Sequence, residues 1–316
     1  MIKINYPDSI SKRRDFENNY SNSILKSINI TSLNRKLNKI KFRGAPLNIE
    51  LIIKSHFADL IEITKIVDDY LSTKTKTINR NFKKLFDYKT NQSRISFFFM
   101  QQKFFNISSC YYCNIDYVNA FKDISDYEDA LDFVNNANID ELKLIKGIGE
   151  KNTQKIVDLR RSHQIKNIKD LKFTPSTTDN LTNFNIQNSS NHFTIDHFLP
   201  QAEYPYLSLS LYNFVPSCYA CNSKFKKALV IGNIDDLKYI SPSSDEYSLP
   251  EDLEFQIIYK KDLKDVKSKS EFIMKGIVNS NKDIVEAYLK VFKIRGRYLF
   301  HKNEITNLIT RWVQLF

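Results

Sequence analysis

Every cysteine in the chain belongs to one of two Cys-x-x-Cys pairs, Cys110/Cys113 and Cys218/Cys221. A tight turn at that spacing presents two sulfurs to one ion, and four thiolates at tetrahedral corners suit Zn²⁺. Two such knuckles close a structural site with no open position. Asp196-His197 lies between the pairs, and Asn222 directly follows the last cysteine. A carboxylate, an imidazole and an amide oxygen are what a hard cation and an activated water require. The residue types therefore imply one metal that holds a fold and a second that does chemistry. The knuckles are separated by the whole segment from Asn114 to Ser217, far longer than in an ordinary zinc ribbon. Either they serve unrelated sites or a module is inserted between them.

The elements that must position these groups follow from local patterning. In Phe193-Thr-Ile-Asp-His-Phe-Leu-Pro200, apolar Phe193 and Ile195 alternate with polar neighbours, which predicts a strand ended by Pro200. Leu209-Ser-Leu-Tyr-Asn-Phe-Val-Pro216 runs into the second knuckle, and Asn222-Ser-Lys-Phe-Lys-Lys227 reads as the start of a helix. The order is strand, loop, strand, helix. On a strand, adjacent Asp196 and His197 point to opposite faces unless the chain bends.

Asp196-His197, Asn213 and Cys218-x-x-Cys221-Asn222 stand in the residue order of the HNH endonucleases, and the segment resembles their ββα-metal core. Cys110-Tyr-Tyr-Cys113-Asn114, taken with Asp-His-Phe-Leu-Pro and Tyr-Asn-Phe-Val-Pro-Ser-Cys, is similar to the zinc-bearing HNH nucleases among prokaryotic anti-phage effectors. The resemblance implies structural Zn²⁺ on Cys110, Cys113, Cys218 and Cys221. It also implies a catalytic Mg²⁺ or Mn²⁺ on Asp196 and Asn222. His197, whose ordinary pKa is ~6.5, is then the base that deprotonates water. Asn213 is expected to hydrogen-bond the loop that aims this histidine, and Lys224 and Lys226 to meet phosphate. Asn222 replaces the final histidine of the HNH name, which shifts the metal preference towards harder ions.

Leu142-x-x-Ile145-x-Gly147-Ile148-Gly149 leads into Ile156-Val157 and resembles a helix-hairpin-helix motif. With Val134–Ala137 and Ile168–Leu171 at its edges, it is similar to the competence-protein type of that domain. The resemblance implies backbone binding to duplex DNA through Lys146, Gly147, Ile148, Gly149, Lys151 and Lys155, by exposed N–H groups at a helix N-terminus. Thr153 stands where a small residue is usual. Arg160-Arg161 reads as a solvated basic face.

Lys plus Arg outnumber Asp plus Glu to give a net charge of +11, which points to a polyanion, either nucleic acid or an anionic membrane surface. No run is long and apolar enough to span a bilayer, and the N-terminus has no apolar signal core, so no membrane role and a cytoplasmic location are expected. Reduced thiols there favour metal over disulfides. Scarce glycine and abundant charge favour helices. The expected fold is α+β and mostly helical. Its parts are a helical region at 1–105, with His56 in an apolar helix in a structural role, a first knuckle and strand at 106–127, and a helix-hairpin-helix insertion at 128–175. A linker at 176–191, a catalytic core with the second knuckle at 192–232, and a C-terminal region at 233–316 with one short strand and helices complete it. The implied activity is metal-dependent hydrolysis of DNA phosphodiesters in anti-phage defence or restriction. Double-stranded DNA is the expected partner, along with a protein partner such as an ATPase or other defence-system component. A catalytically silent zinc-stabilised nucleic-acid-binding module and an RNA-cleaving toxin are the alternatives.

Overall fold

The computed structural model describes residues 1–76, 82, 85–86, 88–101, 105, 107–118, 120–121, 127–183, 190–259 and 272–313. They form a mixed α+β structure in which helices predominate and every sheet is a two-stranded antiparallel pair. The chain divides into two compact units, Met1–Val118 with Phe193–Phe316, and Asn119–His192. Each has its own apolar core.

The first unit begins with helices α1 (Ile10–Leu25), α2 (Ile30–Leu37), α3 (Ile49–Lys54), α4 (Phe57–Ser72) and α5 (Tyr88–Gln101), within the stretch expected to be helical. The Ser9, Asn29 and Asn48 side chains cap the first three by accepting from backbone N–H groups in the first turn. A pair of two-residue strands, β1 (Lys41–Phe42) and β2 (Ala45–Pro46), interrupts this region.

The second unit contains the β3 (Ala120–Phe121) and β4 (Ser190–Asn191) pair, which brings the two ends of the inserted segment together. Between them lie α6 (Ala130–Asn136), α7 (Ile139–Leu144), α8 (Glu150–Ser162) and α9 (Pro175–Thr182). The insertion is therefore wider than the expected 128–175. Part of the expected linker is α9, started by Thr174 as cap and Pro175 at the first helical position. Residues 184–189 of that linker, and Asn119 and 122–126 of the expected strand region, lie outside the described residues.

Back in the first unit, β5 (Thr194–His197) pairs antiparallel with β6 (Phe214–Ser217), with Asp196 opposite Val215 and His197 opposite Phe214. A π-helix, Ala220–Lys226, follows. The C-terminal region has short helices α10 (Leu237–Ile240) and α11 (Leu249–Asp252). It then carries two strands where one was expected: β7 (Leu253–Tyr259) pairs along its length with β8 (Phe272–Val278). The Lys275-Gly276 interruption hides β8 in the sequence. Gly276 stands opposite Phe255, and a Cβ there would come 3.2 Å from the phenyl ring, so its missing side chain makes room for an aromatic. Helices α12 (Lys282–Phe292), α13 (Ile294–Phe300) and α14 (Lys302–Val313) close the unit.

Candidate functional site

The first knuckle sits at the tip of a small hairpin. The Cys110 N–H donates to the Asp116 carbonyl at 2.9 Å, and the Asn114 N–H to the Cys110 carbonyl at 2.8 Å. This tight turn needs a left-handed residue, which Asn114 supplies at φ 52°. The Tyr111 N–H donates to the Pro216 carbonyl of β6 at 3.5 Å and so lays this hairpin beside the second knuckle. The sulfurs of Cys110, Cys113, Cys218 and Cys221 all lie within 4.8 Å of one another, and all four residues are buried. A tetrahedron with Zn–S bonds of ~2.3 Å has S···S edges of about 3.8 Å, so the cluster has the donor set and size for such an ion. The two pairs therefore belong to one site.

Crowded together, the four sulfurs perturb one another: proximity to Cys110 holds the Cys113 thiol down and pushes those of Cys218 and Cys221 up. Four buried sulfurs cannot all be anionic without a cation among them. A dication bound there would supply that charge.

Asp196 and His197 leave β5 on opposite faces, as strand alternation requires. Asp196 is buried against the first knuckle. Its Oδ2 accepts from the Tyr112 hydroxyl at 2.6 Å and lies 3.0 Å from the Lys226 ammonium. Lys226 Nζ also donates to the His197 carbonyl at 2.7 Å. Burial pushes the Asp196 carboxyl up and the Lys226 ammonium down, and each charge pulls the other back. The expectation that Lys226 meets phosphate is thus corrected, because its side chain is 0% exposed and spent on the acid. Lys224 is exposed.

Thr194 shares its strand face with Asp196, and its Oγ1 accepts from Asn222 Nδ2 at 2.9 Å. In the π-helix the Lys227 N–H donates to the Asn222 carbonyl, five residues back, at 2.8 Å. This wide turn sets Asn222 over Thr194 and Lys226 over Asp196. Asn222 thus lies on the Thr194 side of the hairpin with its amide nitrogen spent on Thr194, and Asp196 Oδ2 is engaged by Tyr112 and Lys226.

His197 faces the helical side. Its Nε2 lies 3.0 Å from the Ser208 carbonyl. A carbonyl only accepts, so Nε2–H is the donor and the neutral ring keeps its lone pair on Nδ1. Burial lowers the imidazole pKa to about 4, with the Lys226 charge adding to it, in place of the ordinary value expected from sequence. The ring therefore stays neutral at physiological pH, with its Nδ1 lone pair free to accept a proton but at a lower intrinsic basicity than an ordinary imidazole. Asn213 is fully buried and bridges both ends of the intervening loop. Its Oδ1 accepts from the Leu199 N–H at 2.7 Å, and its Nδ2 donates to the carbonyls of Leu199 at 3.0 Å and Leu207 at 3.3 Å. It thereby fixes the turn whose next carbonyl, that of Ser208, orients His197.

Several positioning groups escaped the sequence reading. Tyr88 of α5 packs edge-on against the His197 ring at a centroid distance of 4.4 Å. Its hydroxyl is buried without a hydrogen-bond partner, and burial, reinforced by the Asp196 charge, pushes its pKa up to about 12. Tyr20 of α1 donates to the Leu209 carbonyl at 2.9 Å, and Phe57 of α4 packs on Phe198 at 5.4 Å. The N-terminal helices are thus the bed of the loop behind His197. Only Tyr112 carried a sequence signal, since it lies inside a knuckle.

In the second unit, Gly147 has φ +91°, and a Cβ there would strike Thr177 Oγ1 at 2.8 Å, so glycine is required. Gly149 is the N-cap of α8. Lys146 and Lys151 are exposed and Lys155 is half-buried. Ile148, counted among the nucleic-acid contacts, has its side chain fully buried in the core of this unit, so only its backbone can meet a ligand. Arg160 is not a solvated cation. It donates to the carbonyls of Phe133, Val134 and Ala137 and caps the C-terminus of α6.

Searches of protein-family models, curated proteins and solved structures find no match to the chain. Among the described residues, no helix is long and apolar enough to cross a membrane.

Proposed function

We propose that the chain is a zinc-stabilised, divalent-metal-dependent endonuclease of the HNH kind, cutting DNA in prokaryotic anti-phage defence or restriction. The observation that carries this reading is the fixed imidazole: His197 is held by the Ser208 carbonyl in a loop pinned by Asn213. It lies one residue from a buried acid and on the hairpin that leads into the four-cysteine cluster. In this reading His197 Nδ1 takes the proton of an attacking water while Nε2–H stays on Ser208. Asp196 and Asn222 would hold a divalent cation, which when bound supplies charge stabilisation at the phosphate. The Lys226 charge favours the ionised form of the buried carboxylate against the pull of burial, and Tyr112 fixes its orientation from the cysteine cluster. Zinc on the four thiolates ties the first knuckle to the hairpin. The glycine turn and exposed lysines of the second unit grip duplex backbone without reading sequence.

Plasmid cleavage in Mg²⁺ or Mn²⁺ tests the reading. His197→Ala should lower the rate by 10²–10⁴-fold, the usual worth of a general base, while leaving zinc content and DNA binding in place. Equal cutting by wild type and variant removes His197 from the mechanism. Binding without cleavage across divalent ions leaves a nucleic-acid-binding module, and preferential RNA cleavage moves the substrate to RNA.

A further inference from the structure

Arg297 of α13 reaches the cysteine cluster from the C-terminal region. Its Nη1 lies 3.2 Å from Cys221 Sγ, and its Nη2 lies 3.4 Å from Cys113 Sγ and 3.0 Å from Asp116 Oδ2. One guanidinium thus spans a sulfur from each knuckle. Its flat face covers Phe225 of the π-helix at 5.1 Å from the ring centroid. The neighbouring Tyr298 hydroxyl donates to the Cys113 carbonyl at 2.9 Å, and Tyr288 of α12 donates to the Tyr112 carbonyl at 2.5 Å.

The charge balance explains why a cation is needed there. Four thiolates around a dication carry a net charge of about −2 in a buried setting. The Asp116 carboxylate adds another negative charge 3.8 Å from Cys113 Sγ. Without a cation between them, carboxylate and thiolate repel, although the Asp116 side chain is 44% exposed and in part screened by solvent. A lysine offers one point charge, whereas the planar guanidinium can serve two sulfurs and a carboxylate together.

We infer that Arg297 is the outer-sphere residue of the four-cysteine metal centre, donating N–H···S bonds to one thiolate of each knuckle and retaining the ion. This rests on the proposed zinc occupancy. The C-terminal helices are then part of the metal site. Donated bonds withdraw charge from the sulfurs, which slows attack on them by protons and thiol reagents. Outer-shell partners of this kind are worth about 10–100-fold in metal affinity.

The test uses the full chain with Arg297→Gln, Arg297→Lys and, as a control, Arg295→Leu, which removes a nearby arginine paired to Glu286 instead. Zinc per chain is measured first, then the rate of zinc release to a chromophoric chelator. The thiolate-to-metal absorption of the Co²⁺-substituted protein is the third readout. Arg297→Gln should hold zinc but release it about 10-fold faster or more, with the Co²⁺ band moved to longer wavelength. Arg297→Lys should fall between it and wild type, and Arg295→Leu should match wild type. If Arg297→Gln does not fold, Arg297→Lys carries the test. Wild-type release and an unmoved band in every Arg297 variant that folds overturn the inference, as does an equal effect of Arg295→Leu. Wild type that binds neither zinc nor Co²⁺ defeats the occupancy itself.

Discussion

The acid at the candidate site is one corner of a buried triangle with Tyr112 and Lys226, and its energetics are those of an enclosed ion pair. Removing one partner strands the other charge, which costs roughly 3–5 kcal/mol, whereas removing both together costs far less. Lys226→Met should therefore destabilise the protein strongly, and Lys226→Met with Asp196→Asn should recover much of the loss. Denaturant midpoints of the two single variants and the double variant measure this, and simple additivity would sink the idea of a coupled pair. At His56, the N-cap of α4, the imidazole lies 2.7 Å from Asp245 and 3.1 Å from Glu17. Hydrogen bonding to Asp245, then Glu17, raises its pKa to about 9. Its value in the unfolded chain is ~6.5. A raised folded value means that this stabilisation is complete below pH ~6.5 and is lost as pH climbs through 9. Its size is modest, because the side chain is 39% exposed and screened by solvent. The melting temperature of wild type should fall across that window more steeply than that of His56→Gln, and parallel curves would show that the cluster contributes nothing.

At the scale of elements, the hairpin β5–β6 and the helix after it show what local patterning encodes. Phe193 and Ile195 mark a strand that the structure shortens to Thr194–His197, ending three residues before Pro200, and the question of one site or two for the knuckles is answered by all four sulfurs lying together. The interrupted pattern of β8 concealed a strand, because Gly276 answers to a phenyl ring on a partner rather than to its own neighbours. The destinations of Lys226 and Arg160 were hidden for a similar reason. A lysine in a basic run reads as solvated, and only the π turn carries Lys226 under the hairpin. The role of the N-terminal helices was equally illegible, since Tyr20, Phe57 and Tyr88 meet the loop behind His197 from far away in the chain. That loop gives a prediction at its own scale. Asn213→Ala deletes three hydrogen bonds that tie Leu199 to Leu207. It leaves those buried groups unpaired at a cost of about 1–3 kcal/mol. In the proposed nuclease the rate should fall while zinc content stays constant, and an unchanged rate would free Asn213 from positioning the base.

At the scale of the whole molecule, one unit is interrupted by another. The β3–β4 pair joins the two ends of the insert, with Ala120 opposite Asn191 and Phe121 opposite Ser190. Replacing residues 122–189 with a two-residue Asn-Gly turn should therefore leave a folded, zinc-loaded first unit, because that turn suits an antiparallel pair. On the proposed function its affinity for duplex DNA should drop, while its melting transition stays close to that of the parent. Loss of metal from the shortened chain would show that the units are not separable. The cysteine cluster also sets a schedule for biosynthesis. Cys110 and Cys113 emerge from the ribosome well before Cys218 and Cys221, and Arg297 follows later still. Tyr112, inside the first knuckle, meets Asp196 only once the intervening insert has been made. A chain that cuts DNA would thus stay harmless through most of its own translation, armed only once its distant halves share a metal ion.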